Sequence, residues 1–335
     1  MATLSNIGVQ DEFQHPVGPE EQWNESYYFN LYDPDARIGG FARIGIRPNE
    51  GTIDGALLLF LPDGSLAVTR QLGEQTENTD EIEVGGIRFE RVDPLKAWRV
   101  TWAGTAAVMP RPEEMVNPGG PSGIEFREIA VDLAFTCLSE PVSGREAEEV
   151  SEATKELGVD LVLGHFEQAG RWSGSITIQG TEHAFSGYGN RDKSWGVRDW
   201  QGPSHWRWFS ANFGDDLALG AVRIGFGEKE IQSGWLWREG APALRFTGVE
   251  VKTELADDGI TQVRSILDLC DENGETHHLE GELLSVAPLP QAKDGRRTLI
   301  NEGLARWTYD DRVGYGISEY LHQLDDAGAP VAAIQ

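Results

Sequence analysis

The chain is poor in the residues that define several large protein classes. It has two cysteines, Cys137 and Cys270, far apart in sequence. They form neither a disulfide framework nor a zinc-ligand spacing, and a reducing cytoplasm is the expected setting. Basic residues are scarce: 28 Lys and Arg stand against 55 Asp and Glu, a formal net charge of -27. Such a surface repels phosphate backbones and anionic headgroups, so neither nucleic acid nor a membrane is an expected partner. No run approaches the roughly 18 apolar residues a membrane span needs. The N-terminal MATLSNIGVQDEFQHP has neither the basic start nor the apolar core of a signal peptide. There is no glycine-rich phosphate loop, no GxSxG and no dinucleotide fingerprint, which argues against nucleotide and serine-hydrolase chemistry. No cofactor is expected.

What is abundant points to β structure. The 335 residues exceed one ordinary core and fit two domains or one large β assembly. Forty glycines, sixteen prolines and eleven tryptophans suggest many short strands and turns. ESYYFNLYD (25–33) reads as a strand, and GALLLFLPDGSLAVTRQL (55–72) as strand, Pro-Asp-Gly turn, strand. IEFREIAVDLAFTCL (124–138) alternates long enough for one extended strand, and Gly180 separates two alternating runs as a hairpin would. Further turns are expected at Gly214-Asp215-Asp216, Asp257-Asp258-Gly259 and Glu272-Asn273-Gly274. Only SGREAEEVSEATKELG (143–158) carries helical spacing, with Ser143 to cap it and Gly158 to end it. The pattern predicts an all-β fold of barrels or sandwiches, with one short helix in the first half.

GYGNRDKSWGVRDW (187–200) is the stretch most suited to chemistry. Read as a strand, it places Tyr188, Asn190, Asp192 and Ser194 on one face, with Arg191 and Lys193 on the other. The cations are then expected outside and Asp192 inside a barrel lumen. Burial raises a carboxyl's pKa, and a protonated carboxyl beside apolar walls can act as a general acid. The structural alternative is that Asp192 pairs with Arg198 or Arg171 and only pins the strand. In LGHFEQ (163–168), His165 and Glu167 share a face, so the pair could position a proton or a water. An iron site of His165, Glu167 and His183 lacks a ligand signature, and no metal is expected. His277 and His278 follow a turn and are expected to be exposed.

SHWRWFS (204–210) and GWLW (234–237) repeat tryptophan at i and i+2: Trp206 with Trp208, then Trp235 with Trp237. Such rings either fill a core or line an apolar pocket, where their π faces stabilise a passing cation. GYGISEY (314–320) puts Tyr315 and Glu319 on one face, with Glu302 a little upstream. These are further candidates for polar groups at a site.

Gly187, Asp192, Trp195 and Gly196, followed by Trp206, Trp208 and Phe209, resemble the carotenoid 1,2-hydratase superfamily. That group includes hydroxyneurosporene synthase, kievitone hydratase and relatives of fungal Diels–Alderases. PLKAWRVTWAG (94–104) is similar to an internal strand of the same family. The resemblance implies two lipocalin-like antiparallel β-barrels packed together, about residues 1–200 and 201–335, enclosing an apolar cavity for an isoprenoid- or polyketide-like molecule. It also implies Asp192 and His165 as an acid–base pair. Asn190 and Lys193 depart from the tyrosine and histidine of the hydratases, which places the chain nearer a bacterial branch.

The function expected from these readings is a cofactor-independent hydratase or dehydratase. It would act on a C=C bond or tertiary alcohol of a hydrophobic small molecule. Asp192 would protonate the alkene, while His165 and Glu167 manage the water. Tyr188, Asn190, Trp195, Trp206, Trp208, Tyr315 and Glu319 would bind substrate. A lipocalin-like carrier without chemistry, or an isomerase or pericyclase-like cyclase, remains open on the same scaffold. A homodimer is compatible with the sequence.

Overall fold

In a computed structural model the described residues are 7–75, 79–117, 119–143, 164–197, 199 and 201–334. The segment 144–158, where the helical pattern lies, falls outside them. The chain is all-β, built as two antiparallel barrels packed together. The first holds β1 (Trp23–Asp33), β2 (Ile38–Arg47), β3 (Thr52–Phe60), β4 (Leu66–Glu74), β5 (Glu83–Val84), β6 (Ile87–Asp93), β7 (Ala97–Met109), β8 (Glu125–Cys137), β9 (Gly164–Ile178) and β10 (Thr181–Val197). Its order is β4-β3-β2-β1-β10-β9-β8-β7-β6-β5, and β4 pairs with β7 to close the ring. The second is a closed eight-stranded barrel. Its strands are β11 (His205–Asn212), β12 (Leu217–Phe226), β13 (Lys229–Arg238), β14 (Leu244–Leu255), β15 (Gln262–Asp271), β16 (Thr276–Lys293), β17 (Arg296–Tyr309) and β18 (Arg312–Leu324). The helical pieces among the described residues are short 3-10 turns, such as Val9–Glu12. Among these residues no helix is long and apolar enough to cross a membrane.

The turns follow their chemistry. Gln179 and Gly180 both have positive φ, 49° and 77°, as the tight turn joining β9 to β10 requires. Leu61 and Ser65 close the Pro-Asp-Gly hairpin between β3 and β4. His277, expected at the surface, is buried: it bonds the Tyr309 hydroxyl at 2.7 Å and Asp271 at 3.2 Å, while His278 stays exposed. Both lie on the same strand, so alternation sends one of any such pair inward.

The largest correction concerns β10. Its alternation is as the sequence implies, but the two faces are exchanged. Arg191 and Lys193 point into the first barrel and are 1% and 0% exposed. Their register partners Phe29 and Tyr27 belong to the core of that barrel. Burying two cations is tolerable because two acids meet them. Arg191 donates to Glu12 Oε1 at 2.8 Å and to Oε2 at 2.7 Å, and its Nε donates to Gln168 Oε1 at 3.0 Å. Lys193 is hydrogen-bonded to Glu25. The guanidinium also lies 5.0 Å from the Phe166 ring. Thus the segment around Glu12, with no strand of its own, is tied to the barrel by the ion pair it completes. Gly187 and Gly189 admit the β1 backbone: a Cβ at 189 would sit 2.0 Å from the Asn30 carbonyl oxygen.

Removing one partner of a buried, fully paired charge costs about 3–5 kcal/mol, whereas replacing both with apolar groups is often neutral. Glu12→Ala is therefore expected to cost about that much in urea unfolding. Glu12→Leu combined with Arg191→Met should recover most of it. A single-variant cost below about 1 kcal/mol, the range of surface pairs, would show that the pair does not anchor β10.

Candidate functional site

With the cations inside, the outward row of β10 faces the second barrel. Asp192, Tyr28 of β1 and Glu167 of β9 lie side by side in register across three strands. One step along, His165 pairs with Ser194. His165 Nε2 is hydrogen-bonded to Asp192 Oδ2 and stands 3.7 Å from Glu167 Oε1. The side chain of Asp192 is 13% exposed and that of His165 37%, so the imidazole is the group of this row nearest solvent. Asp192 therefore points between the barrels, not into a lumen.

The second barrel supplies the opposite wall. Trp208 Nε1 donates to Glu167 Oε1 and Trp235 Nε1 to Oε2, each at 2.9 Å. Gly220 makes this possible, because a Cβ there would lie 2.6 Å from Glu167 Oε2. Trp208 also meets the Tyr28 ring edge-on at 5.3 Å. Glu319 on β18 is the register partner of both Trp208 and Glu302, and it accepts a hydrogen bond from Trp206 Nε1.

Crowded carboxyls out of water resist ionisation. Burial pushes the Glu167 carboxyl upward, against the opposing pull of His165. Glu302 is raised well above the usual carboxylate range, first by burial and then by the charge of Glu319 and its hydrogen bond. One oxygen of Glu302 has no hydrogen-bond partner among the described residues. The Tyr28 phenol is held neutral by burial and by the charges of Glu302, Glu319 and Asp192. The ligand atoms of His165, Glu167 and Asp192 lie within 4.8 Å of one another, so these three could hold a metal ion. Asp271, Glu275 and His277 form a second such group at the end of β15.

The structure brings together Asp192, His165, Glu167, Trp206, Trp208 and Glu319. Asn190 is in the same interface one step further on, accepting from Asn212 Nδ2 at 3.0 Å. Tyr188 donates to Asp215 at 3.0 Å, and the Tyr315 ring lies tilted against Tyr32 at 4.6 Å. Each lies four residues from Asp192 or Glu319, about 13 Å along a strand. Trp195 is on the other face, stacked on His15 at 3.9 Å and beside Lys193. Alternation from Asp192 already separates the two. Sequence reasoning left Tyr28 unassigned and gave Trp235 and Glu302 no definite role. Only the second GWLW tryptophan pair and the carboxyl ahead of β18 hinted at them.

The chain belongs to the family described as domain of unknown function (DUF7064), whose model matches residues 8–324. No curated protein matches it significantly. Solved structures share its fold. A Nitrosomonas europaea protein, provisionally named AttH, aligns at TM-score 0.62 and 16% identity, covering 96% of this chain and 98% of that one. CghA, solved with Sch210972, aligns at 0.53 and 12%, covering 90% and 87%. Kievitone hydratase from Nectria haematococca gives 0.46 and 10%, over 89% and 87%, too remote to argue from. At such identities the likeness is one of fold alone.

A carboxyl protonated in the folded protein and ionised in the unfolded chain binds more protons when folded. Stability then falls as pH rises above the unfolded carboxylate value. Glu302→Gln, which needs no proton, is expected to flatten that fall between about pH 5 and pH 8. It should also raise stability at the upper end by at least about 1 kcal/mol. Guanidinium unfolding at several pH values reads this. An unchanged pH slope would mean that Glu302 is ionised in the fold.

Proposed function

We propose that this family member is an acid-catalysing lyase that adds water to, or removes it from, a C=C bond of an apolar small molecule held between its two barrels. The observation that carries the reading is the Asp192–His165 pair, set in a nearly closed interface with Glu167, Glu302, Glu319, Tyr28 and the indoles. A carboxylic acid there can give up a proton without competing bulk water.

In the hydration direction, Asp192 transfers its proton to one alkene carbon. The π pair forms the new C–H bond, and the adjacent carbon becomes a carbocation. The Trp208 and Tyr28 rings and the negative charge of the Glu302–Glu319 pair would stabilise such a cation. A water entering on the His165 side forms the C–O bond. Its surplus proton passes through the imidazole back to the Asp192 carboxylate, which restores the starting state. Dehydration is the reverse. Isomerisation or cyclisation would use the same proton transfer and differ only in the fate of the cation. Glu167, fixed by two indole N–H groups, orients the imidazole and gives the barrier region a second proton-holding group. A cation among these rings and carboxyls favours an isoprenoid-like substrate, whose branched alkene gives a tertiary centre.

The test is incubation with acyclic isoprenoid alkenes in 18O-labelled water, read by mass spectrometry of the alcohols. The wild type is expected to incorporate label. Asp192→Asn should lower incorporation by at least about a hundredfold, the usual worth of a positioned general acid, with circular dichroism unchanged. Labelled alcohol formed equally by Asp192→Asn would contradict the assigned acid. Binding of the alkene without turnover by the wild type would favour a carrier.

A further inference from the structure

Strand register brings three metal-ligating side chains to one point. Asp192 of β10 and Glu167 of β9 are direct partners, and His165 is the next side chain on the same face of β9. The ligand atoms of the three lie within 4.8 Å of one another. His165 Nε2 is hydrogen-bonded to Asp192 Oδ2 and stands 3.7 Å from Glu167 Oε1. Bonds of about 2.0–2.2 Å to one ion place neighbouring ligand atoms roughly 3.0–3.5 Å apart, so a small adjustment of side chains completes the geometry. His183, grouped with His165 and Glu167 on sequence grounds, pairs with Ile176 near the far end of the same two strands and takes no part.

The surroundings suit an ion. Glu167 is 5% exposed and accepts one indole N–H on each oxygen, from Trp208 and Trp235, each at 2.9 Å. Such outer donors orient a ligating carboxylate and leave each oxygen a second lone pair. Tyr28, the partner of Asp192 on its other side, is 7% exposed, and its hydroxyl has no hydrogen-bond partner among the described residues. A buried hydroxyl in that state calls for a bound group, and water held on an ion beside Asp192 can donate to it. The side chain of His165 is 37% exposed, which gives an ion a way in. Two ionised carboxylates and a neutral imidazole balance the charge of a divalent cation, as a water-poor zone requires. One imidazole with two carboxylates suits zinc or another first-row ion better than calcium or magnesium.

We propose that His165, Glu167 and Asp192 form a site for a first-row divalent ion, zinc the best fit, and that loading it switches the acid off. Water fills the remaining positions and is hydrogen-bonded to Tyr28. The ion takes the imidazole nitrogen and the carboxylate oxygen that are bonded to each other in the metal-free protein. Asp192 then has no proton to deliver. Binding stands on the geometry alone, whereas inhibition rests on the acid role proposed above.

The test is titration of the full-length, chelator-treated protein with cobalt(II), a visibly absorbing stand-in for zinc. A saturable absorption that zinc displaces is expected. Trp235→Phe, which removes an outer donor, should lower the affinity about 10–100-fold, and Asp192→Asn, which removes a ligand, by more. His277→Gln, which disables the group formed with Asp271 and Glu275, should keep the signal. Absorption kept in Asp192→Asn but lost in His277→Gln, or no saturable absorption at all, would overturn the site. If Asp192→Asn does not fold, the histidine ring 15N signals of the wild type with zinc decide: a saturable shift at His165 is expected, and its absence overturns the site. Zinc should also stop incorporation of the 18O label. Label formed equally by the zinc-loaded protein would overturn the inhibition. No label from the metal-free protein would remove the acid role, and the inhibition with it, while the absorption still decides the site.

Discussion

The structure depends on one constraint: a β-strand can place only every second side chain on a given face. In β10 that rule sorts three adjacent charges. Arg191 and Lys193 go into the first barrel, and Asp192 goes to its outer wall. Two cations in a core of Trp98, Phe29 and Phe135 are tolerable only because Glu12 and Glu25 reach them. The ion pairs thus do more than satisfy charge. They tie the N-terminal segment and β1 to β10 and hold the outward row in register against the second barrel.

That outward row and the facing barrel each bring half of an acid–base constellation. The first barrel contributes a carboxyl bonded to an imidazole, a second carboxyl and a phenol. The second contributes indole N–H donors and a pair of carboxyls. Packed together, they form a zone where negative charge is crowded and water is sparse, so protons are retained on groups such as Glu302. The lumen of the second barrel does the reverse, holding Arg207 against the Tyr320 ring and two backbone carbonyls. In a chain with net charge -27, both arrangements are local decisions made by strand alternation rather than by overall composition.

Much of the fold was legible in the sequence, because period-two alternation and turn chemistry are local signals. The hairpins at Pro62-Asp63-Gly64 and Gln179-Gly180, the long strand at 125–137 and the two-barrel plan all follow from them or from the resemblance. The grouping of His165, Glu167 and Asp192 was legible in part, since His165 and Glu167 share a face. Which side of β10 is inside was not. Apolarity could not decide it, because the inward side chains are charged and are neutralised by Glu12 and Glu25, far away in sequence. Trp235 and Tyr28 were missed for the same reason: their place beside Glu167 and Asp192 exists only after two barrels dock.

The central claim is that the zone between the barrels keeps a carboxyl protonated at neutral pH. Infrared spectroscopy of the protein in heavy water measures this most directly, through the C=O stretch of an un-ionised acid. The account predicts such absorption at neutral pH, with one component lost in Glu302→Gln and another in Asp192→Asn. A spectrum with no protonated-carboxyl band in the folded wild-type protein would contradict it.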